Sequence, residues 1–241
     1  MHQSRLILNG APLAADLSGA LWWEDRRTLV VADLHLEKGS AFAERGRMLP
    51  PYDTAATLRR LAEVLRRLSP RLVICLGDSF HDRRAAGRLS MPDREHLGQL
   101  MSGREWVWIA GNHDPHPPAG CGGATTDSLT LGPLIFRHAA ASGPAAGEVS
   151  GHYHPKAAIS IRSRRISARC FVHDGSRLIL PAFGAYTGGL GVLDPAIARL
   201  MDRRFHVTML GDRKLYSFPS DRLIGRQDKT PLPPQPVRRS A

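Results

Sequence analysis

Three apolar runs in this chain each break off into a short block of aspartate, asparagine and histidine, and that recurrence limits the possible folds more than any other feature. Thr28-Leu29-Val30-Val31-Ala32 opens into Asp33-Leu34-His35. Leu72-Val73-Ile74-Cys75-Leu76 opens into Gly77-Asp78-Ser79-Phe80-His81-Asp82, and Trp106-Val107-Trp108-Ile109-Ala110 into Gly111-Asn112-His113-Asp114-Pro115. Uninterrupted apolar runs of this length read as strands buried on both faces. Between the first two, residues 51–68 place Leu58, Leu61, Val64, Leu65 and Leu68 at helical spacing, and a shorter helix is expected near 92–102. Strand, polar turn and helix alternate, which predicts an α/β layered fold.

Past residue 120 the texture changes. Leu134–Arg137, Ala157–Ile161, Ala168–Val172 and Arg177–Leu180 read as strands with few helical patterns between them, so a second, largely antiparallel set of strands is expected. Residues 139–147 form an Ala/Gly/Ser-rich loop. The expected organisation is one catalytic domain over residues 1–225 and a disordered, proline-rich tail over 226–241.

Composition excludes several classes. No apolar run approaches the roughly 20 residues that span a bilayer, and the N-terminus lacks the pattern of a secretory signal. Cys75, Cys121 and Cys170 are scattered and odd in number, which argues against a disulfide framework or thiolate zinc site and fits a reducing cytoplasm. A net charge of +11 favours polyanionic partners, nucleic acid among them, although arginine used as an ordinary surface cation gives the same total.

Ligands of open α/β sheets gather beyond the carboxyl ends of the strands, so the polar blocks should converge. Asp33 and His35, two apart in extended chain, would point the same way. Gly77 and Gly111 allow tight turns before Asp78 and Asn112. His138 follows Leu134–Arg137, and Gly151-His152-Tyr153-His154 follows a short β-like run. Each block alone has an ordinary structural reading, as a capped strand end, a turn or a buried histidine. Together they supply two aspartates, one asparagine and four histidines. That donor set suits Mn²⁺, Fe or Zn²⁺ and suits Ca²⁺ or Mg²⁺ poorly. Seven ligands exceed one tetrahedral ion but fit two ions sharing a carboxylate, an arrangement that clamps a phosphoryl group and activates a bridging water.

The series D-x-H, G-D, G-N-H-D, a lone H and G-H-x-H, in that order over about residues 28–155, resembles the calcineurin-like metallophosphoesterase superfamily. Within it, VADLHLEKGSAF, LGDSFHD, GNHDP, GHYHP and LPAFGAYTGGL resemble the ligase-associated DNA damage response endonuclease family, often called PdeM. The resemblance implies an α/β/β/α sandwich of two mixed sheets flanked by helices, with a dinuclear site at the strand ends. It also implies a first metal held by Asp33, His35, Asp78 and His154, and a second held by Asp78, Asn112, His138 and His152. His113 would be no ligand but would face the phosphate and protonate the leaving oxygen. The superfamily's usual G-D-x-x-D is broken here, with His81 in place of the second aspartate and Asp82 one residue on. Either could orient His113.

The expected activity is hydrolysis of phosphodiester bonds in DNA, single-stranded or damaged, with Mn²⁺ as first choice of metal. The family setting is DNA repair beside a DNA ligase, a helicase and a β-lactamase-fold exonuclease. Two alternatives use the same motifs: an esterase for nucleotides, cyclic nucleotides or other small phosphoesters, and a non-catalytic nucleic-acid-binding module. His2, His96, His116, His173 and His206 are read as surface or hydrogen-bonded residues, and Trp22-Trp23 as packing at the core edge before base stacking. Arg83-Arg84 is open between phosphate contact and solvated loop.

Overall fold

The computed structural model describes residues 3–115 and 122–225. The expected tail over 226–241, and also His2, His116 and Cys121, lie outside the described residues. The first sheet has the order β1 (Gln3–Leu8), β2 (Ala11–Asp16), β3 (Leu21–Trp23), β4 (Thr28–Val31), β5 (Leu72–Cys75), β6 (Glu105–Ile109) and β7 (Ala124–Thr126). β1 to β4 are antiparallel neighbours and β4 to β7 parallel ones. The parallel steps need crossovers, and the helices α2 (Asp53–Leu68) and α4 (Met91–Met101) lie in them. The short α1 (Lys38–Ala43) and α3 (Ala85–Arg88) fill the turns after the first two polar blocks.

The second sheet contains β8 (Ser128–Leu131), β9 (Leu134–Arg137), β10 (Glu148–Ser150), β11 (Lys156–Ile161), β12 (Arg164–His173), β13 (Arg177–Ile179), β14 (His206–Leu210) and β15 (Leu215–Pro219). Its order is β15-β14-β12-β13-β10-β9-β8, with β11 paired to β12. Only the β9–β10 and β10–β13 pairs are parallel.

Alternation along the strands assigns the three apolar layers. Leu29, Val31, Val73 and Cys75 face α2, where they meet Leu58, Leu61, Val64 and Leu65. Their neighbours Val30, Ala32, Ile74 and Ile109 face the other way and pack on Phe136, Val149, Phe171 and Leu178 of the second sheet. The far side of that sheet, with Cys170, Val172, Val207 and Met209, is covered by Ile197 of α5 (Pro195–Ala198) and by Met201 and Phe205. The result is the layered α/β/β/α sandwich with a thin outer layer on the second sheet. β4, β5 and β10 are thus buried on both faces and β6 nearly so, which is why those runs are uninterrupted in sequence.

The register matters most for function. Val31 pairs with Cys75, and Cys75 with Trp108, so the three parallel strands end level. Val149 of β10 pairs with Phe136 of β9, which levels the fourth and fifth blocks in the same way. β1 to β3, β7, β8, β14 and β15 extend the sheets beyond the strands expected from the sequence. Trp22 and Trp23 are buried in β3, so they pack and do not stack a base. Cys75 and Cys170 are buried free thiols.

Candidate metal centre

The candidate ligands converge, though not by the geometry expected for Asp33 and His35. β4 stops at Val31, and Asp33 (φ 54°) and His35 (φ 44°) are both left-handed, so a bent segment and no strand pleat turns them to one side. Asp78 (φ 46°), His152 (φ 70°) and His154 (φ 48°) share that conformation. Non-glycine residues held there cost roughly 1 kcal/mol or more each and persist only where surrounding contacts dictate them. Such contacts are present: Asp33 N–H donates to Gly77 O (3.3 Å), His35 N–H to Asp78 O (2.9 Å) and Gly151 N–H to His138 O (2.9 Å). The loop after β13 braces the same segment, with Phe183 N–H on Ala32 O (2.8 Å) and Gly184 N–H on Asp33 O (3.1 Å).

Asp33 accepts the backbone N–H of His152 at both oxygens (3.1 and 2.9 Å), which ties the first block to the fifth. Asp78 Oδ1 accepts His113 N–H (2.9 Å), tying the second block to the third. Gly77 (φ +74°) must be glycine for space as well, since a Cβ there would lie 2.6 Å from His138 Nδ1.

The donor atoms fall into groups whose members lie within 4.8 Å of one another: Asp33, His35 and His154 in one, Asp78, His138 and His152 in another, and His35, His81 and His113 in a third at the mouth. Tautomers decide what these groups can hold. His138 Nδ1 is 2.8 Å from Leu76 O, a carbonyl that can only accept, so Nδ1 carries the proton. In the neutral ring, Nε2 is then a bare lone pair facing Asn112 Oδ1 at 2.8 Å, with His152 Nδ1 at 3.0 Å and Asp78 Oδ1 at 3.5 Å. In the first group His35 Nε2 lies 3.3 Å from His154 Nε2, and His154 Nε2 3.5 Å from Asp33 Oδ1. His35 Nδ1 is buried without a partner. Burial first, and then the neighbouring His154, His113, His81 and Lys38, push the His35 pKa down to about 2. Burial and His138 lower that of His152. Ring nitrogens and carboxylate oxygens gathered this closely fit divalent cations, and the mixed N/O donor set suits transition metals.

His113 lies at the mouth and is about 42% exposed. Its Nδ1 is 2.8 Å from the carbonyl of His81, so Nδ1–H donates there and Nε2, 3.9 Å from Asp78 Oδ2, is free to exchange a proton. His81 therefore orients His113 through its backbone, and its ring stacks on that of His113 at 5.4 Å. Burial, followed by Lys38 and His113, lowers the His81 pKa to about 4. Asp82 does not contact His113. It accepts Arg88 Nη2–H (2.8 Å) and Arg84 N–H (2.8 Å), while the exposed Arg84 pairs with Glu44 (3.3 Å).

Two supports carried no assigned role in the sequence reading. Asp114 is buried and accepts Phe80 N–H (3.0 Å), bracing the second block against the third; burial raises its pKa to about 6. The visible signal was its place in GNHDP. Glu37 and Asp53 fasten α1 to the start of α2: Glu37 N–H donates to Thr54 Oγ1 (2.8 Å), Thr54 Oγ1–H to Glu37 Oε1 (3.0 Å) and Gly39 N–H to Asp53 Oδ2 (3.0 Å). No local spacing announces that contact.

A cluster of imidazoles and carboxylates at the level ends of two packed sheets, with one exposed histidine beside it, marks a metal-dependent phosphoesterase. Residues 26–174 match the family of calcineurin-like phosphoesterases, and the chain belongs to that family. Among solved structures it is similar to the Pseudomonas putida nuclease MPE, with 28% identity and a TM-score of 0.70 over 90% of this chain and 100% of that one. The E. coli phosphoesterase Yfce matches at 14% identity and a TM-score of 0.38, over 79% of this chain and 97% of that one. Comparison with curated proteins finds no match.

Proposed function

We propose that this phosphoesterase cleaves phosphodiester bonds in DNA, single-stranded or damaged, with two divalent cations, Mn²⁺ first and Fe or Zn²⁺ next. The observation that carries the two-site reading is the pair of acceptor groups: Asp33, His35 and His154 around one, Asn112, His138 and His152 around the other, with Asp78 reaching both through its two oxygens (His138 Nε2 3.5 Å from Oδ1, His35 Nε2 3.9 Å from Oδ2). The likeness to a nuclease along the whole of that chain supports the diester substrate. When bound, such cations neutralise phosphate charge and lower the pKa of water enough to yield a nucleophile at neutral pH.

The side chains supply the rest. Asp78 reaches both groups, and Asp33 ties the first to the second through the N–H of His152. His113, fixed through Nδ1–H on His81 O, presents Nε2 to the leaving oxygen and gives it a proton. The buried free thiols and the basic charge suit a DNA-repair role in the cytoplasm, in functional association with a DNA ligase, a helicase and an exonuclease of β-lactamase fold.

The test is a Mn²⁺-reconstituted assay on labelled circular single-stranded DNA, where cutting can only be endonucleolytic. His113→Ala should slow it by roughly 10²-fold or more, and slow a p-nitrophenyl diester far less, because nitrophenolate leaves without a proton. An intact circle beside rapid turnover of nucleotides or small monoesters would overturn the DNA reading in favour of a small phosphoester substrate.

A further inference from the structure

A hairpin leaves the metal centre directly after its last candidate ligand. β11 begins two residues after His154, and its pairing with the first half of β12 forms a two-stranded ribbon, Lys156↔Arg169 at the base and Ile161↔Arg164 at the tip. The tip is a two-residue turn, Arg162-Ser163, with both residues at positive φ, as the right-handed twist of a hairpin favours.

Register and burial separate the ribbon's faces. Ala157 and Ile159 share a face with Ala168, and that face continues through Cys170 and Val172 into the apolar layer on the far side of the second sheet. The opposite face carries Lys156 with Arg169, Ala158 with Ser167, and Ser160 with Arg165. It is short-chained and polar along the middle and cationic at both ends, about 13 Å apart at strand rise.

The cations of this face, like most arginines among the described residues, have no carboxylate partner, whereas five arginines elsewhere do. Arg67, Arg84, Arg88, Arg137 and Arg177 each sit within 4 Å of a carboxylate. Among the described residues, no such ion pair includes Lys156, Arg165 or Arg169, nor Arg60 on α2. Arg60 and Arg169 instead converge on one loop, donating to Phe183 O (2.6 Å) and Ala182 O (2.6 Å). Both are partly buried, and burial first, then the charge of Arg60, lowers the Arg169 pKa. That loop is the one bonded to Ala32 and Asp33, so the cations border the metal centre. A line of cations leading away from a phosphoesterase centre, with Arg60 and Arg169 partly desolvated beside it and Arg165 exposed at its far end, is matched to a chain of phosphates.

We propose that the polar face of the β11–β12 ribbon, with Lys156, Arg165 and Arg169 and continued by Arg60, binds the phosphates of the nucleic-acid strand flanking the cleaved bond; this rests on the DNA reading above. The competing account is that Arg60 and Arg169 only pin the loop at 182–183. Lys156 and Arg165 do not touch that loop through their side-chain nitrogens, so they make the cleaner test.

The experiment uses the full Mn²⁺-loaded chain, a fluorescent single-stranded 20-mer and bis-p-nitrophenyl phosphate. Lys156→Gln with Arg165→Gln should raise the oligonucleotide KM about ten-fold and lower the ratio of oligonucleotide to small-diester kcat/KM by a similar factor. The slope of log affinity against log salt should fall by about 1.4, near 0.7 per lost contact on a single strand. Arg213→Gln with Lys214→Gln, in the β14–β15 turn, serves as the charge-matched control. Equal losses on both substrates, or a salt slope unchanged from wild type, would overturn the ribbon proposal while leaving the DNA reading intact. A wild-type protein that turns over the small diester but leaves the oligonucleotide uncut would overturn both.

Discussion

Gly111→Ala should disable the enzyme without replacing any candidate ligand. A Cβ at Gly111 would lie 2.2 Å from Asp78 N, 2.3 Å from Asp78 Oδ1 and 2.5 Å from Asp114 Oδ1. Ordinary van der Waals contact needs roughly 3.4 Å or more, so the turns carrying Asp78 and Asn112 must part by about 1 Å. The nearest atom is backbone, and Asp78 Oδ1 is already held by His113 N–H at 2.9 Å, so no flexible side chain can absorb the shift. Overpacking of this kind costs about 1–3 kcal/mol. Misplacement by 1 Å at a reacting centre costs roughly 10²-fold in rate. Turnover of bis-p-nitrophenyl phosphate at saturating Mn²⁺ should therefore fall by about two orders of magnitude, while the urea midpoint falls only modestly. Gly98→Ala is the matched control: it lies in α4 with nothing within 4 Å of its added Cβ, and alanine should stabilise the helix by up to about 1 kcal/mol. Wild-type turnover and midpoint in Gly111→Ala would refute the claim that these two turns are in fixed contact.

His154→Ala should weaken the first metal site and His152→Ala the second, read as loss of different steps in a Mn²⁺ titration calorimetry curve; identical curves would count against two separate groups. Arg177→Met should cost about 3–5 kcal/mol in urea unfolding, because it leaves the buried Glu148, now 2.7 Å from Arg177 Nε, with Arg137 at 3.4 Å as its one remaining cation beside the Ala141 N–H at 3.0 Å. His173, stacked on His206 at 5.8 Å and next to Asp174, has its pKa lowered from the ordinary 6.5 by burial and then by His206. A folded-state pKa below the unfolded one means the unfolded chain takes up the proton first, so stability is full above about pH 6.5 and is lost as pH falls below it. His173→Gln should flatten part of that loss in unfolding curves between pH 7.5 and 5.5, and an unchanged slope would show that His173 does not contribute. Asp82→Asn should leave the pH dependence of turnover as in wild type, because Asp82 bonds Arg88 and Arg84 and not His113; a displaced profile would put Asp82 back beside the catalytic histidine.

The parallel half of the first sheet was legible because its strands are buried on both faces and therefore written as unbroken apolar runs. Thr28–Val31, Leu72–Cys75 and Glu105–Ile109 fall within a residue of the runs read from the sequence. β1 and β2 carry no such run: Arg5 and Ile7 are exposed while Leu6 and Leu8 are buried, and Gln3–Leu8 holds only that short alternation. β15 is largely exposed along its length, which leaves little hydrophobic signature to read.

The site divides along the same line between local and distant causes. Which residues converge was readable, because convergence needs only that strands end level and that polar blocks follow them. How Asp33 and His35 come to share a side was misread, because strand periodicity was carried two residues past the end of β4. What bends the chain there is not in the block at all. It is Gly77 O, Asp78 O and the Ala32–Gly184 segment contacts, drawn from positions more than forty residues away. His81 likewise acts through its backbone. A missing aspartate in G-D-x-x-D invites a search for another side chain to orient His113, whereas the chain uses a carbonyl, an acceptor that every residue at that position provides. The substitution of aspartate by histidine thus leaves the Nδ1–H of His113 satisfied. It trades a negative charge for an imidazole stacked at the mouth, and so makes the surroundings of His113 less anionic.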